Sequence, residues 1–239
     1  MTASQATAYG AGVSRPDNAG VTGEKTTDGL LLPPPLSFDD GRSNWLWLAE
    51  IAQWDRALEV RSDLGPQTTG LAEHFGSVHC VRVERSQLRR EWQDLIASGY
   101  SNIAAACAAP IKLPYRDGAF DCVALDDVSL LAPRQGQVLR ESFRTLRKGG
   151  CAFMGAPRQS LRRLTRDLTR AGFSAVHAFG AEPSWDEPRS IIPLNRAAIL
   201  GYERWVRRSS PMRDLVRCLL ARLGCRRILY RSVILLAYR

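Results

Sequence analysis

Apolar and polar positions along this chain follow two periods that take turns. From residue 56 onward, short apolar runs of strand character are separated by segments whose apolar residues recur three and four apart. "RALEV" at 56–60 and "AFDCVALDD" at 119–127 read as buried strands, and "SVHCVRVE" at 77–84 alternates β-branched and small residues with polar ones. "NIAAACAA" at 102–109, "CAFMGAP" at 151–157, "SAVHAFG" at 174–180 and "RSVILLAYR" at 231–239 bring the predicted strands to seven. Helices are predicted over 68–76 with Gly76 as stop, 86–99 with a Ser86 cap and a Gly99 stop, 134–150 stopped by Gly149 and Gly150, and 160–173. A further short amphipathic helix is expected over 43–54, capped by Ser43 or Asn44, with Trp45, Leu48, Ile51 and Ala52 facing the core.

Strands alternating with helices predict an α/β fold: a doubly wound, mostly parallel seven-stranded sheet covered on both faces. In open sheets of this kind ligands sit beyond the carboxyl ends of the strands, at the switch point. That places the 61–66 loop, Glu84, the 108–110 turn and the 126–129 segment around one crevice. The expected organisation is a disordered tail at 1–42, an α/β core at 43–180, a basic helical insertion at 181–230 and the last strand at 231–239. Within the insertion, "NRAAILGYERWVRR" at 195–208 and "PMRDLVRCLLARLG" at 211–224 look helical, the second with Pro211 in its first turn and Gly224 as its stop. In that second helix Met212, Leu215, Val216, Leu219, Leu220 and Leu223 form a broad apolar face, and Arg213, Arg217 and Arg222 sit off it.

At 239 residues and 45% hydrophobic, the chain has enough material for one sizeable core. The net charge of +9 changes the picture of the carboxyl-terminal part. Arginines are dense from Arg189 onward, while acidic residues almost vanish after Asp214. Such a tail suits nucleic acid, an anionic membrane surface, an acidic substrate, or simply a solvated basic face. The insertion helices are read first as a cap over an acceptor pocket or as ordinary packing. Contact with an anionic membrane through 211–231 ranks second. Nucleic acid ranks third, because no recognised binding module is present. No apolar run approaches the roughly 20 residues that span a bilayer, and the first residues lack a secretory pattern. Six cysteines without C-x-x-C or zinc spacing indicate a reducing cytoplasm and no metal. The expected location is cytoplasmic, with membrane-peripheral contact as the variant of it.

"LPYRDGAFDCVALDDVSLL" at 113–131 resembles the Leu-Pro-Phe-x-Asp-Gly-x-Phe-Asp-x-Val stretch of the class I S-adenosylmethionine-dependent methyltransferases. "ESFRTLRKGGCAFMGAPR" at 141–158 is similar to that family's helix, Pro-Gly-Gly turn and fifth strand, with Lys148 in the place of the proline. "LTRAGFSAV" at 168–176 is similar to its Ala-Gly-Phe approach to the sixth strand. The resemblance covers about 55–180 and the last strand, and implies S-adenosylmethionine as cofactor. It implies cofactor positions at Glu59, Arg61, Asp63, Gly65, Glu84, Ala109 and Asp126. The family's first loop reads acid-x-Gly-x-Gly-x-Gly, of which only Glu59 and Gly65 survive; Arg61 and Asp63 replace the other glycines. Glu84 matches the acid that accepts the ribose hydroxyls, a task for which a carboxylate takes two donors at once. Ala109 stands where the family often has an Asp beside the adenine amino group.

Each residue also has a plainer reading. Glu59 fits a cofactor ammonium, or an ion pair with Arg61 or Arg56. Glu84 fits a ribose, or a surface pair with Arg82, Arg85 or Arg89. Asp126 is the candidate general base or substrate clamp, and Asp127 a turn cap. His74, His79 and His177 read as structural. Two functions stay open. One is methyl transfer to a small-molecule, lipid-linked or sugar acceptor. The other is a non-catalytic partner or scaffold protein that has lost cofactor binding, suggested by Arg61, Asp63 and Ala109.

Overall fold

The computed structural model describes residues 41–61, 66–86, 88–89, 92–93, 99–125, 134–156, 161–185, 188–205, 211–223, 229–230 and 232–239. They begin with a 3₁₀ helix over Gly41–Leu48. Then follow β1 (Arg56–Val60), α1 (Pro66–His74), β2 (Ser77–Arg82), β3 (Ile103–Cys107), β4 (Phe120–Leu125), α2 (Gln135–Thr145), β5 (Leu146–Ala156) and α3 (Leu161–Ala171). β6 (Ala175–Pro183), β7 (Pro188–Pro193), α4 (Arg196–Trp205), α5 (Pro211–Arg222) and β8 (Ser232–Tyr238) complete the order. Much of the helix predicted over 86–99, and the whole of the expected tail up to residue 40, lie outside the described residues.

The strands form one eight-stranded sheet in the order β3-β2-β1-β4-β5-β8-β6-β7. The first five are mutually parallel, β8 is antiparallel to both β5 and β6, and β7 is antiparallel to β6. The order reverses between β1 and β4, so the switch point lies where the strand–helix alternation placed the crevice.

The eighth strand corrects the sequence reading, which placed 181–230 in a helical insertion. β6 runs on to Pro183 and pairs with β7 from Phe179↔Pro193 to Pro183↔Pro188. Prolines at both ends of β7 hid it, yet they suit it, because an edge strand can spare the missing N–H groups. β5 also begins earlier than predicted. Leu146 already pairs with Phe120, and Gly149 and Gly150 fall inside the strand, where the register shifts so that Cys122 opposes Cys151. The helix expected over 43–54 is instead the tighter 3₁₀ form. Trp45 and Leu46 turn inward from it, Leu48 is half-buried, and Ala52, beyond its end, is exposed.

Side chains alternate across the sheet, so each strand feeds two cores. On one face Leu58, Val60, Val123, Leu125 and Met154 pack with Val138 and Leu139 of α2 and Leu164 and Leu168 of α3. On the other, Ala57, Cys80, Cys122, Ala124 and Phe153 pack with Trp45, Leu46 and Leu71. Trp45 stacks on Phe153 with centroids 4.0 Å apart. Registers place Cys80, Glu59, Ala124, Phe153 and Leu236 in one row across β2, β1, β4, β5 and β8 on this second face. A carboxylate thus stands in the middle of an apolar row.

Candidate functional site

Glu59 is fully buried. An isolated carboxylate there would cost several kcal/mol, so the fold must supply donors. Thr68, in the first turns of α1, donates its hydroxyl to Glu59 Oε2 at 2.6 Å. Arg82 Nη2 donates to the same oxygen at 3.2 Å. The Cys80 thiol adds a weaker contact at 3.5 Å. Burial first, and the Glu59 charge second, push the Cys80 thiol well above its usual range, which keeps it neutral.

Arg82 is 1% exposed and also donates to the Val81 carbonyl at 3.0 Å. Its inward course follows from register. Glu59 opposes Cys80, and two residues further along β2 the alternation brings Arg82 back to the same face, toward the carboxyl edge. Glu59 therefore has a close structural ion-pair partner in Arg82, which was not anticipated, and a looser one in the expected Arg61. Arg61 Nε lies 4.0 Å from Glu59 Oε1. Arg61 Nη1 donates to Gln67 Oε1 at 2.7 Å, and its guanidinium sits 6.0 Å from the centroid of the Trp185 ring.

Trp185 reaches this edge because β6 runs parallel to β5 and delivers its following loop beyond the strand ends. The ring lies against Gly155 of β5, where a Cβ would come within 2.3 Å of it. Phe153, two residues earlier on the same face, is 6.3 Å from Trp185 between centroids. The floor of the crevice on this face is thus Arg82, Glu59, Arg61, Gln67 and Trp185, with Glu59 paired to Arg82 inside the protein.

Glu84 has the opposite environment. It follows β2, is exposed, and has no ion pair or side-chain hydrogen bond among the described residues. Arg82 turns away from it toward Glu59, which removes the pairing that a plain surface role anticipated. A cavity of about 410 Å³ lined by Arg85, Ser86 and Arg89 lies in the segment just after it. Ala109 is exposed in the turn after β3, where its carbonyl accepts from Lys112 N–H at 2.9 Å; its methyl group offers no polar contact. Asp63, Gly65, Asp126 and Asp127 lie outside the described residues.

The histidines stay structural. His79 packs edge-on against Tyr115 and Phe120 at 5.4 Å from each. Burial lowers the His79 and His74 pKa values, which keeps both neutral near pH 7. His177 lies edge-on to Tyr238 at 5.8 Å.

The sequence reading missed Arg82, Gln67 and Trp185 as parts of this floor. For Arg82 a signal existed, since strict alternation from buried Cys80 points it inward. For Trp185 none did, because its contact with Gly155 depends on the β6–β7 hairpin.

Residues 58–154 match a family model described as a methyltransferase domain. No curated protein matches the sequence. Solved structures match in fold. One is the Haemonchus contortus phosphoethanolamine N-methyltransferase 2 with phosphomonomethylethanolamine and S-adenosylhomocysteine, at TM-score 0.57 and 11% identity over 85% of this chain and 53% of that one. The chain thus spans about half the length of that enzyme. The [4+2]-cyclase SpnF matches at TM-score 0.55 and 17% identity, over 82% of this chain and 79% of that one. An Aquifex aeolicus S-adenosylmethionine-dependent methyltransferase matches at TM-score 0.52 and 14% identity, over 59% of this chain and 84% of that one. Over residues 58–154 this chain therefore matches the methyltransferase-domain model, and its sheet and helices share the fold of solved S-adenosylmethionine-dependent methyltransferases.

Proposed function

We propose that this chain binds S-adenosylmethionine at the carboxyl edge of the sheet and transfers its methyl group to a small-molecule, lipid-linked or sugar acceptor. The observation that carries the reading is Glu84. It is an exposed carboxylate without a partner among the described residues, at the end of the strand next to the switch point.

The fit is uneven along the cofactor. At the ribose end, Glu84 offers two oxygens to two vicinal hydroxyl donors. At the methionine end, Glu59 is engaged by Arg82 and Thr68, so it shapes the floor instead of meeting an ammonium. The family's close backbone approach at the third loop position is replaced by the Arg61 side chain, which is drawn aside onto Gln67 and Trp185. S-adenosylmethionine supplies an electrophilic methyl on a sulfonium that is already a good leaving group. The protein's share is accordingly orientation and water exclusion, which the buried Trp185 and the neutralised Arg82–Glu59 pair provide. Asp126, by its position after β4, is the residue for holding the acceptor.

The experiment is calorimetric titration of the full chain with S-adenosylmethionine and S-adenosylhomocysteine. Glu84→Ala is expected to weaken binding about tenfold to a hundredfold, the loss of hydrogen bonds to a charged group. Arg61→Gly is expected to change it less. An unchanged affinity in Glu84→Ala would remove the ribose role. A second reading, a non-catalytic scaffold on the same fold, is favoured by the internal cation at Arg82. Absence of heat and of any thermal shift at millimolar ligand decides for that reading.

A further inference from the structure

The helix α5 is built the wrong way round for a soluble surface. Its inward side carries a charge among apolar contacts: Arg217 and Cys218 are half-buried, Ala221 is 3% exposed, and Leu220 packs against the core. Arg217 holds Glu203 with two hydrogen bonds, Nε to Oε2 at 2.9 Å and Nη2 to Oε1 at 2.8 Å. The same Nη2 donates to Glu182 on β6 at 2.7 Å. Tyr202 and Tyr230 donate to these carboxylates at 3.1 and 3.3 Å. This cluster anchors α5 to α4 and to β6 by its charged side. The sequence pattern set Arg217 off the apolar face, and its partners Glu182 and Glu203, from two other elements, turn that side inward.

Apart from Leu220, the large apolar side chains of the helix are consequently on the outside. Met212 is 70% exposed, Leu215 67%, Val216 47%, Leu219 55% and Leu223 68%. Their spacing makes one continuous stripe along the helix. A run of large apolar side chains this exposed marks a surface that is covered in use. Two features identify what covers it. Arg222 is exposed on the same helix, Arg213 shares it, and the chain carries +9 overall. Sequence on both sides adds arginine without acid, Arg207 and Arg208 before and Arg226 and Arg227 after. A second copy docked on this face across a twofold axis would set these arginines against themselves. An anionic bilayer receives both the apolar stripe and its basic flank. Among the described residues no helix is long and apolar enough to cross a membrane, so α5 is placed to lie in the interface and not through it.

We infer that α5 docks this protein on an anionic lipid surface through Met212, Leu215, Val216, Leu219 and Leu223, with arginine contacts to headgroups. The inference stands on α5 and is independent of the methyltransferase reading. The test is sedimentation of the full chain with vesicles of phosphatidylcholine alone and of phosphatidylcholine with phosphatidylglycerol. Binding is expected only with the anionic vesicles, and to weaken as salt rises. Leu215→Asp with Leu219→Asp is expected to lower the partition coefficient at least about tenfold with no change in thermal midpoint, since both positions are exposed. Arg222→Glu is expected to lower it about fivefold or more. Equal recovery in the supernatant with both vesicle types overturns the inference. So does a concentration-dependent dimer that the double variant abolishes while vesicles bind neither protein.

Discussion

Replacing Arg82 by methionine removes a guanidinium from a place that water does not reach. Arg82 is 1% exposed, and Glu59 is fully buried 3.2 Å from its Nη2. Methionine keeps most of the apolar stem, so packing changes little and the charge is what is lost. The Glu59 carboxylate keeps the Thr68 hydroxyl at 2.6 Å, and the nearest remaining cation is Arg61, with Nε at 4.0 Å. Removing one partner of a buried pair costs about 3–5 kcal/mol. Arg61 offsets part of this, which places the expected loss near the lower figure, about 3 kcal/mol. For a domain of this size about 1 kcal/mol moves the thermal midpoint by roughly 2–4 °C, so the midpoint falls by about 6–12 °C. The double variant Glu59→Gln/Arg82→Met removes both charges and leaves an amide oxygen to accept from Thr68. It is expected to recover to within about 1–2 kcal/mol of the parent. Urea denaturation of the parent, both single variants and the double variant closes the cycle. A loss under about 1 kcal/mol for Arg82→Met, or a double variant as unstable as the sum of the singles, refutes the pairing as the organiser of the crevice floor. A further arm connects this to function. With its closest cation gone, the Glu59 carboxylate is less fully compensated and favours a ligand ammonium, so S-adenosylhomocysteine is expected to raise the midpoint of Arg82→Met more than that of the parent.

Two other outcomes follow from the same geometry. Hydrogen bonds from Arg144, opposed by partial burial and helped by the Leu113 N–H, hold the Glu141 carboxyl below the usual carboxylate range. Its folded pKa is therefore below the unfolded value of about 4.3, so its stabilisation is present at neutral pH and is lost as pH falls through that value and then through the folded one. Denaturation midpoints of the parent and Glu141→Gln should converge in acid; a gap that stays constant with pH contradicts this. Gly155→Ala places a Cβ at 2.3 Å from the Trp185 ring, which must shift off Phe153 and away from Arg61. A loss of about 1–3 kcal/mol and a shifted tryptophan emission are expected, and an unchanged spectrum with an unchanged midpoint rules out the contact.

The segments most legible in the sequence turn out to belong to the scaffold. "LPYRDG" is held by one side chain of α2. Arg144 donates to Asp117 Oδ1 at 2.7 Å, to the Tyr115 carbonyl at 2.8 Å and to the Leu113 carbonyl at 3.2 Å, while Gly118 N–H returns to the Arg144 carbonyl at 2.9 Å. Gly118 has φ of +64°, which explains the Asp-Gly pair. Asp121, the acid of the Phe-Asp pair, accepts from the backbone N–H groups of Asp55 and Arg56 at 2.8 and 2.9 Å, and so ties β4 to β1 where both strands begin. Local patterning and local clamps of this kind are written in contiguous residues, and both the alternation of strands and helices and the family resemblance could be read from them. What was not legible is whatever depends on pairing between distant elements: the proline-bounded β7, the anchoring of Arg217 by Glu182 and Glu203, and the Trp185–Gly155 contact.

This division has a consequence for function. Gly118 and Asp121 sit at the amino ends of the strands, whereas Glu59, Arg61, Arg82 and Glu84 sit toward the carboxyl ends. Six residues of strand separate the two edges by about 20 Å. The Gly118 and Asp121 clamps that help make the chain recognisable therefore lie away from the crevice, and their presence is compatible with any fate of it. Activity is decided at the other edge, by whether a ligand that meets Glu84 also tolerates a floor whose charges Arg82 and Glu59 have already neutralised. The two single variants Glu84→Ala and Arg82→Met act on the two ends of that one cleft. A protein that catalyses must respond to the first in its affinity and to the second in both stability and ligand rescue, whereas a scaffold responds to the second in stability alone.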